Sequence, residues 1–138
     1  MDPKTFTILL IIGVLLGVGL RIWDTVRCKR IYTVIVSGPI EQVRAATAKK
    51  FSGTFWTPCD GTGEMNWRRN TSDKSCVVSV DFDALPDGNV EVNTGLDAYV
   101  TQTGIVQSKG RSKPRKLAKA LEKQFPVAAG APPFDSSL

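Results

Sequence analysis

Residues 8–23 have the sequence ILLIIGVLLGVGLRIW, and this stretch decides how the rest of the chain is organised. Between residues 6 and 20 no side chain is charged. With its flanks the apolar segment reaches about twenty residues, the length that crosses the hydrocarbon core of a bilayer as a helix. The sequence therefore predicts a transmembrane helix over residues 6–23, preceded by a short N-terminal segment, residues 1–5.

The residues that follow this segment distinguish a permanent anchor from a cleaved signal peptide. A signal peptide ends at a cleavage site made of small residues. Residues 20–30 have instead the bulky and basic sequence LRIWDTVRCKR, whereas Lys4 is the one basic residue before the segment. Because the basic flank of a transmembrane helix stays in the cytoplasm, we expect an uncleaved anchor in the plasma (inner) membrane, with the N-terminus outside and the remaining chain inside.

The cytoplasmic end of the helix carries candidates for contact with lipid headgroups. Interfacial tryptophans and long basic side chains are typical of this depth. The candidates are Arg21, Trp23, Arg27, Lys29 and Arg30. The sequence predicts that residues 24–30 form a short basic juxtamembrane linker.

Three glycines, Gly13, Gly17 and Gly19, interrupt the apolar run. Gly13 and Gly17 are four residues apart, and small residues at this spacing let a second helix approach closely. The alternative is that glycine is simply more frequent in membrane helices. We predict that Gly13 and Gly17 pack against a partner helix, which belongs to a larger integral membrane protein or, as an alternative, to a second copy of this chain.

Residues 31–125 predict one cytoplasmic α+β domain. Residues 75–84, SCVVSVDFDA, alternate between apolar and polar side chains as a half-buried strand does. Further strands are predicted at 31–36, 54–57, 64–69 and from 89 to about 101, and helices at 39–51 and 113–125. The expected fold is an antiparallel sheet with two helices on one face, in two layers. Residues 104–113 are predicted as a loop, and residues 126–138 as an extended or disordered tail.

The composition argues against catalysis and bound cofactors. The chain contains no histidine, the commonest general acid or base and a frequent metal ligand. The segment CDGTGE, residues 59–64, lacks the lysine and helix of a phosphate-binding loop, so we predict a turn. Four carboxylates occupy the polar positions of their strands and are expected to be solvated: Asp81, Asp83, Glu91 and Asp97. We predict no enzyme activity, metal or cofactor.

The cysteines give no sign of a disulfide framework or a metal site. Their number is odd and no CxxC pair occurs among Cys28, Cys59 and Cys76. A cytoplasmic domain would keep them reduced. We expect them to be small core or half-buried residues.

The most basic segment is residues 109–123, KGRSKPRKLAKALEK, with seven basic residues against Glu122. Candidate contacts to an anionic partner are Lys113, Arg115, Lys116 and Lys119. Anionic lipid headgroups are within reach of a tethered domain. Nucleic acid is disfavoured because the segment lacks aromatic platforms for bases. A solvated helix face explains the pattern equally well.

The layout of residues 6–30, FTILLIIGVLLGVGLRIWDTVRCKR, followed by a small domain resembles the accessory subunits of actinobacterial cytochrome bcc–cytochrome oxidase supercomplexes. The resemblance implies a respiratory-chain protein that holds no haem or copper itself and supports the assembly or stability of the catalytic subunits. From the residues alone we expect a non-catalytic, single-pass accessory subunit of a larger integral membrane complex. The alternative is a membrane-tethered domain that binds anionic lipid or nucleic acid through residues 109–123.

Overall fold

The chain begins with one long helix, α1, Pro3–Cys28. It is seen in a computed structural model that describes residues 2–70, 75–102, 105–106, 108 and 110–127. Its 26 residues make it about 39 Å long, and it is long and apolar enough to cross a membrane. The helix extends beyond the predicted bounds at both ends. Most of the predicted linker, residues 24–30, is therefore a helical continuation of α1.

The domain is built on a five-stranded sheet in which every neighbouring pair is antiparallel. The strands are β1 Tyr32–Ser37, β2 Trp56–Pro58, β3 Met65–Arg69, β4 Val77–Ala84 and β5 Asn89–Ala98, in the spatial order β1-β5-β4-β3-β2. A separate two-stranded ladder joins β6, Thr101–Gln102, to β7, Ile105–Val106. The predicted strand from residue 89 is thus shorter than expected, and part of the predicted loop is paired.

Two helices, α2 Ile40–Lys50 and α3 Lys113–Gln124, pack on one face of the sheet. The α+β class and the two-helix layer are therefore confirmed. Helix α2 begins one residue later than predicted, since Pro39 is the N-cap residue and the preceding Gly38 adopts a φ of 114°.

The core lies between the sheet and these helices, and it follows the alternation of the strands. Phe51, after α2, stacks on Trp67 of β3 with ring centroids 4.1 Å apart. The buried aliphatic side chains of the sheet are Val34, Val36, Val78, Val80, Val90 and Val92, and those of the helices include Val43, Leu117 and Leu121. The predicted apolar positions of the sheet and both helices therefore meet in one core.

The domain has two ends, which we call the α1 end and the distal end. Strand β1 and helix α3 both begin at the α1 end and run away from it. At the distal end the Ser37 amide donates to the Phe125 carbonyl at 3.1 Å, and the Ser37 hydroxyl donates to the Pro126 carbonyl at 2.7 Å. The start of the predicted tail is thus held against β1, and residues 128–138 of that tail lie outside the described residues.

Candidate functional site

The first part of α1 presents a bare apolar surface. All its side chains up to Trp23 are exposed, including Arg21 and Trp23, two of the predicted interface residues. A Cβ added at Gly13 or Gly17 would meet no neighbouring element within 4 Å. The surface predicted for helix packing is therefore uncovered by the part of the chain that the structure describes.

The last two turns of α1 are instead fixed to the domain. The Thr25 hydroxyl oxygen accepts a hydrogen bond from the Val106 amide at 3.1 Å. The Tyr32 hydroxyl donates to the Arg27 carbonyl at 2.7 Å, and Cys28 is buried. We call these contacts, together with the ion pair below, the joint. The predicted juxtamembrane linker is therefore hydrogen-bonded to the domain and partly buried against it.

An ion pair completes the joint. Arg111, just before α3, donates from Nε to the Asp24 carboxylate at 2.9 Å. This hydrogen bond raises the pKa of Arg111 above its ordinary value. The two residues are 87 positions apart, so no local spacing in the sequence could have paired them.

Two residues of the joint lie on the same side of α1 as the glycine surface. Gly13, Gly17, Asp24 and Cys28 follow one another at intervals of 4, 7 and 4 residues. Such intervals bring side chains onto one helical face. A helix that packed on Gly13 and Gly17 would therefore lie on the side of α1 that contacts the domain.

The other predicted interface residues surround the joint. Lys29 is exposed, with Nζ 5.6 Å from the centroid of the Tyr99 ring. Arg27 and Arg30 are half-buried. Arg27 also belongs to the joint through its carbonyl, and Arg21 and Trp23 lie on the exposed part of α1 before the joint.

The four predicted cations of α3 do not form a single exposed surface. Lys113 donates to the Lys50 carbonyl at 2.7 Å and lies 4.9 Å from the centroid of the Phe51 ring. Burial lowers its pKa. Arg115 is half-buried beside a cavity of about 100 Å³ that Asp24 and Arg111 also line. Lys116 and Lys119 are exposed on a helix that runs towards the distal end, and these two remain the available contacts.

Two of the carboxylates expected to be solvated bind the loop at residues 59–64. Asp97 accepts from the Thr62 hydroxyl at 2.7 Å, and Asp81 accepts from the Glu64 amide at 2.8 Å. The predicted turn is thus tied across the open face of the sheet. Apart from the acidic positions themselves, no sequence pattern indicates these hydrogen bonds. The described residues contain no group of three or more His, Cys, Asp or Glu that could hold a metal ion.

The cysteines are thiols, with Cys28 and Cys76 buried and Cys59 half-buried. Burial raises the pKa of Cys76 to about 11, and it also raises the pKa of Cys59. A protonated thiol is a poor nucleophile, so this arrangement favours the predicted packing role.

Comparisons of the chain with protein-family models, with curated proteins and with solved structures found no match. Function must therefore be inferred from the bare span, the joint and the charges around it.

Proposed function

We propose that the protein is a non-catalytic, single-pass accessory subunit of a larger integral membrane complex. In this proposal α1 spans the plasma membrane with its N-terminus outside, and the domain lies in the cytoplasm. Gly13 and Gly17 pack against a helix of the complex. The observation that carries the proposal is the alignment of this glycine pair with Asp24 and Cys28 of the joint on one side of α1.

The joint supports docking more than simple anchoring. A flexible linker is sufficient to keep a domain at a membrane, whereas here Thr25 and Cys28 are buried and fix the rotation of α1 relative to the domain. A partner helix packed on Gly13 and Gly17 would emerge from the cytoplasmic side of the bilayer next to the domain. The domain would then cover the cytoplasmic end of that helix and support the assembly or stability of the complex.

Substitution of the glycine pair tests the docking directly. Because isoleucine prevents close approach of two backbones, we expect the Gly13→Ile, Gly17→Ile double variant to lose its larger partners on purification in mild detergent followed by mass spectrometry. Gly19→Ile is the matched control, since two residues turn the helix by about 200° and Gly19 therefore faces away from Gly17. Retention of the partners by the double variant would exclude this docking surface.

The same preparation separates the alternatives. Crosslinking of the chain to itself, without larger polypeptides, would indicate a homodimer through the glycine pair. Co-purification with haem-containing subunits would support the narrower proposal of a respiratory oxidase supercomplex. The anionic-partner alternative for α3 now depends on Lys116 and Lys119, and a Lys116→Glu, Lys119→Glu variant that loses its partners would favour it.

Cys59 allows the orientation of the chain in the membrane to be tested without introducing a new cysteine. It is the most accessible of the three thiols, so a membrane-impermeant maleimide at mildly alkaline pH should modify it in permeabilised cells and leave it unmodified in intact cells. Cys59→Ser is the control for residual labelling. Modification in intact cells would contradict a cytoplasmic domain.

A further inference from the structure

Outside α1, the large apolar side chains that are exposed within the described residues gather at one end of the domain. They are Ile31, Phe55 and Tyr99, with Phe55 53% exposed and Ile31 74% exposed. Ile31 precedes β1, Tyr99 follows β5, and Phe55 precedes β2, whose Trp56 pairs with the last residue of β3. All three positions lie at the α1 end.

Basic side chains accompany these apolar residues. The Arg69 guanidinium carbon lies 4.6 Å from the centroid of the Phe55 ring, and Lys29 Nζ lies 5.6 Å from that of Tyr99. Lys50 is exposed at the end of α2, where its carbonyl binds Lys113. The α1 end therefore combines exposed rings with cations contributed by three different elements.

The acidic side chains are distributed in the opposite way. Two acids near the α1 end are already engaged, Asp24 by Arg111 and Asp97 by Thr62. Asp83, Asp87 and Glu91 lie towards the distal end, where α3 also ends with Glu122 and the exposed Lys123. The carboxylates at the β4–β5 hairpin thus lie away from α1, whereas Lys119 and Lys123 of α3 also lie towards the distal end.

We propose that Lys29, Lys50, Phe55, Arg69 and Tyr99 form a headgroup platform that rests on anionic lipids of the leaflet in which α1 ends. Aromatic rings favour the boundary between headgroups and acyl chains, and cations are attracted to the negative leaflet. The joint keeps the platform facing the bilayer. This inference rests on α1 spanning a membrane, as in the proposed function, and does not require the docking of another subunit.

Exposed apolar side chains favour lipid as the occupant. An acidic protein surface or a nucleic acid would pair with the cations but would leave Ile31 and Phe55 in water or against polar groups. A bilayer accommodates both, because these apolar side chains enter the interface while the cations remain among the phosphates.

The test uses the unmodified full chain, reconstituted as a monomer in nanodiscs with no partner protein. One set contains phosphatidylcholine alone and the other adds phosphatidylglycerol. Acetylation rates of individual lysines are followed by mass spectrometry. We expect Lys29 and Lys50 to react about five-fold more slowly in the anionic discs, with high salt removing the difference. Lys123, which is exposed in the last turn of α3, is the internal control and should react equally in both sets.

Variants sharpen the result. Lys50→Glu and Phe55→Ser should each reduce the protection of Lys29, whereas Lys123→Glu should leave it unchanged; an unaltered circular dichroism spectrum shows that the domain remains folded. Equal reactivity of Lys29 and Lys50 in both discs would overturn the platform. Protection that is independent of anionic lipid, or that occurs only in complexes with a co-purified protein, would overturn it as well.

The design also separates this inference from the docking proposal. The Gly13→Ile, Gly17→Ile variant should keep its protection in anionic discs, since the platform does not involve the glycine surface. If this variant loses its partners but keeps the protection of Lys29 and Lys50, the platform is supported. If the unmodified chain keeps its partners but shows no protection in anionic discs, the platform is refuted and the docking proposal is unaffected.

Discussion

The two parts of α1 share one helical backbone but have opposite surroundings. In the first part Leu15 is 64% exposed and touches no other element, whereas Thr25, ten residues later, is 6% exposed and hydrogen-bonded to β7. Helical periodicity continues through both, so the helix itself carries no mark of the boundary. What changes is the covering: the domain covers the second part, and no described element covers the first.

Glycine illustrates the same contrast. A Cβ on Gly63 in the domain would lie 2.9 Å from the Cβ of Ser79, and one on Gly61 would collide with the Asn66 side chain. These glycines are required by contacts within the domain. Gly13 and Gly17 have no such contact, so their small size serves no packing within the described structure, which is consistent with the close approach of another helix.

The largest difference between the two parts should appear when the same side chain is shortened in each. Leu117→Ala removes a side chain that is 1% exposed in the core, and we expect it to lower the free energy of unfolding by about 2–5 kcal/mol. Leu15→Ala should leave domain unfolding unchanged. Urea titration in mild detergent, followed by tryptophan fluorescence, measures both. A comparable loss in Leu15→Ala would mean that the first part of α1 packs on the domain.

The buried region should also respond to alkaline pH. Because burial raises the pKa of Cys76 from 9.0 to about 11, the folded state keeps this proton while the unfolded state releases it. The stability from this group is intact below pH 9 and is lost as pH rises towards 11, by up to about 2–3 kcal/mol. The difference between wild type and Cys76→Ala isolates it from other titrations.

Cys59→Ala serves as the control for that experiment, since Cys59 is half-buried. It should retain most of the alkaline loss seen in the wild type. A Cys76→Ala variant that loses stability over pH 9–11 as steeply as the wild type would show that the thiol proton is not held by the folded domain.

A smaller effect is expected at the joint. Thr25→Val keeps the shape of the side chain but leaves the Val106 amide without its acceptor, so we expect a loss of about 1–3 kcal/mol in the free energy of unfolding. Thr33→Val, which removes an exposed hydroxyl from the open face of the sheet, should have little effect. Equal stability of Thr25→Val and wild type would indicate that the joint opens readily.

Local periodicity accounts for what the sequence could predict. The apolar run of α1, the alternation at residues 75–84 and the four-residue repeat of Leu117 and Leu121 each determine an element and its buried face. The two-layer fold follows because these faces must cover one another. The ends of elements were less predictable, since the extension of α1 to Cys28 depends on contacts with the domain.

Contacts between distant residues account for what could not be predicted. Thr25 meets Val106 and Asp24 meets Arg111, at separations of 81 and 87 residues, and no spacing rule encodes such pairs. The basic segment at 109–123 was visible, but its helix brings Lys113 against Phe51 and Trp56. The register of the sheet brings Phe55, Arg69 and Tyr99 to the same end of the domain. The residue pattern of a single strand does not encode this register.

The ion pair of the joint allows the finest comparison, because the domain contains a close counterpart. Asp24 and Arg111 are 2.9 Å apart with side chains 42% and 34% exposed, and Arg44 and Glu64 are 2.7 Å apart with side chains 30% and 38% exposed. Partly exposed pairs of this kind typically contribute about 0.2–1 kcal/mol. Double-mutant cycles with Asp24→Asn, Arg111→Gln and with Arg44→Gln, Glu64→Gln should therefore give similar coupling energies. A coupling near zero for Asp24–Arg111 beside a measurable one for Arg44–Glu64 would mean that the end of α1 moves independently of the domain. The alignment of the glycine surface with the domain would then no longer support docking, since a helix that rotates freely has no fixed orientation relative to the domain.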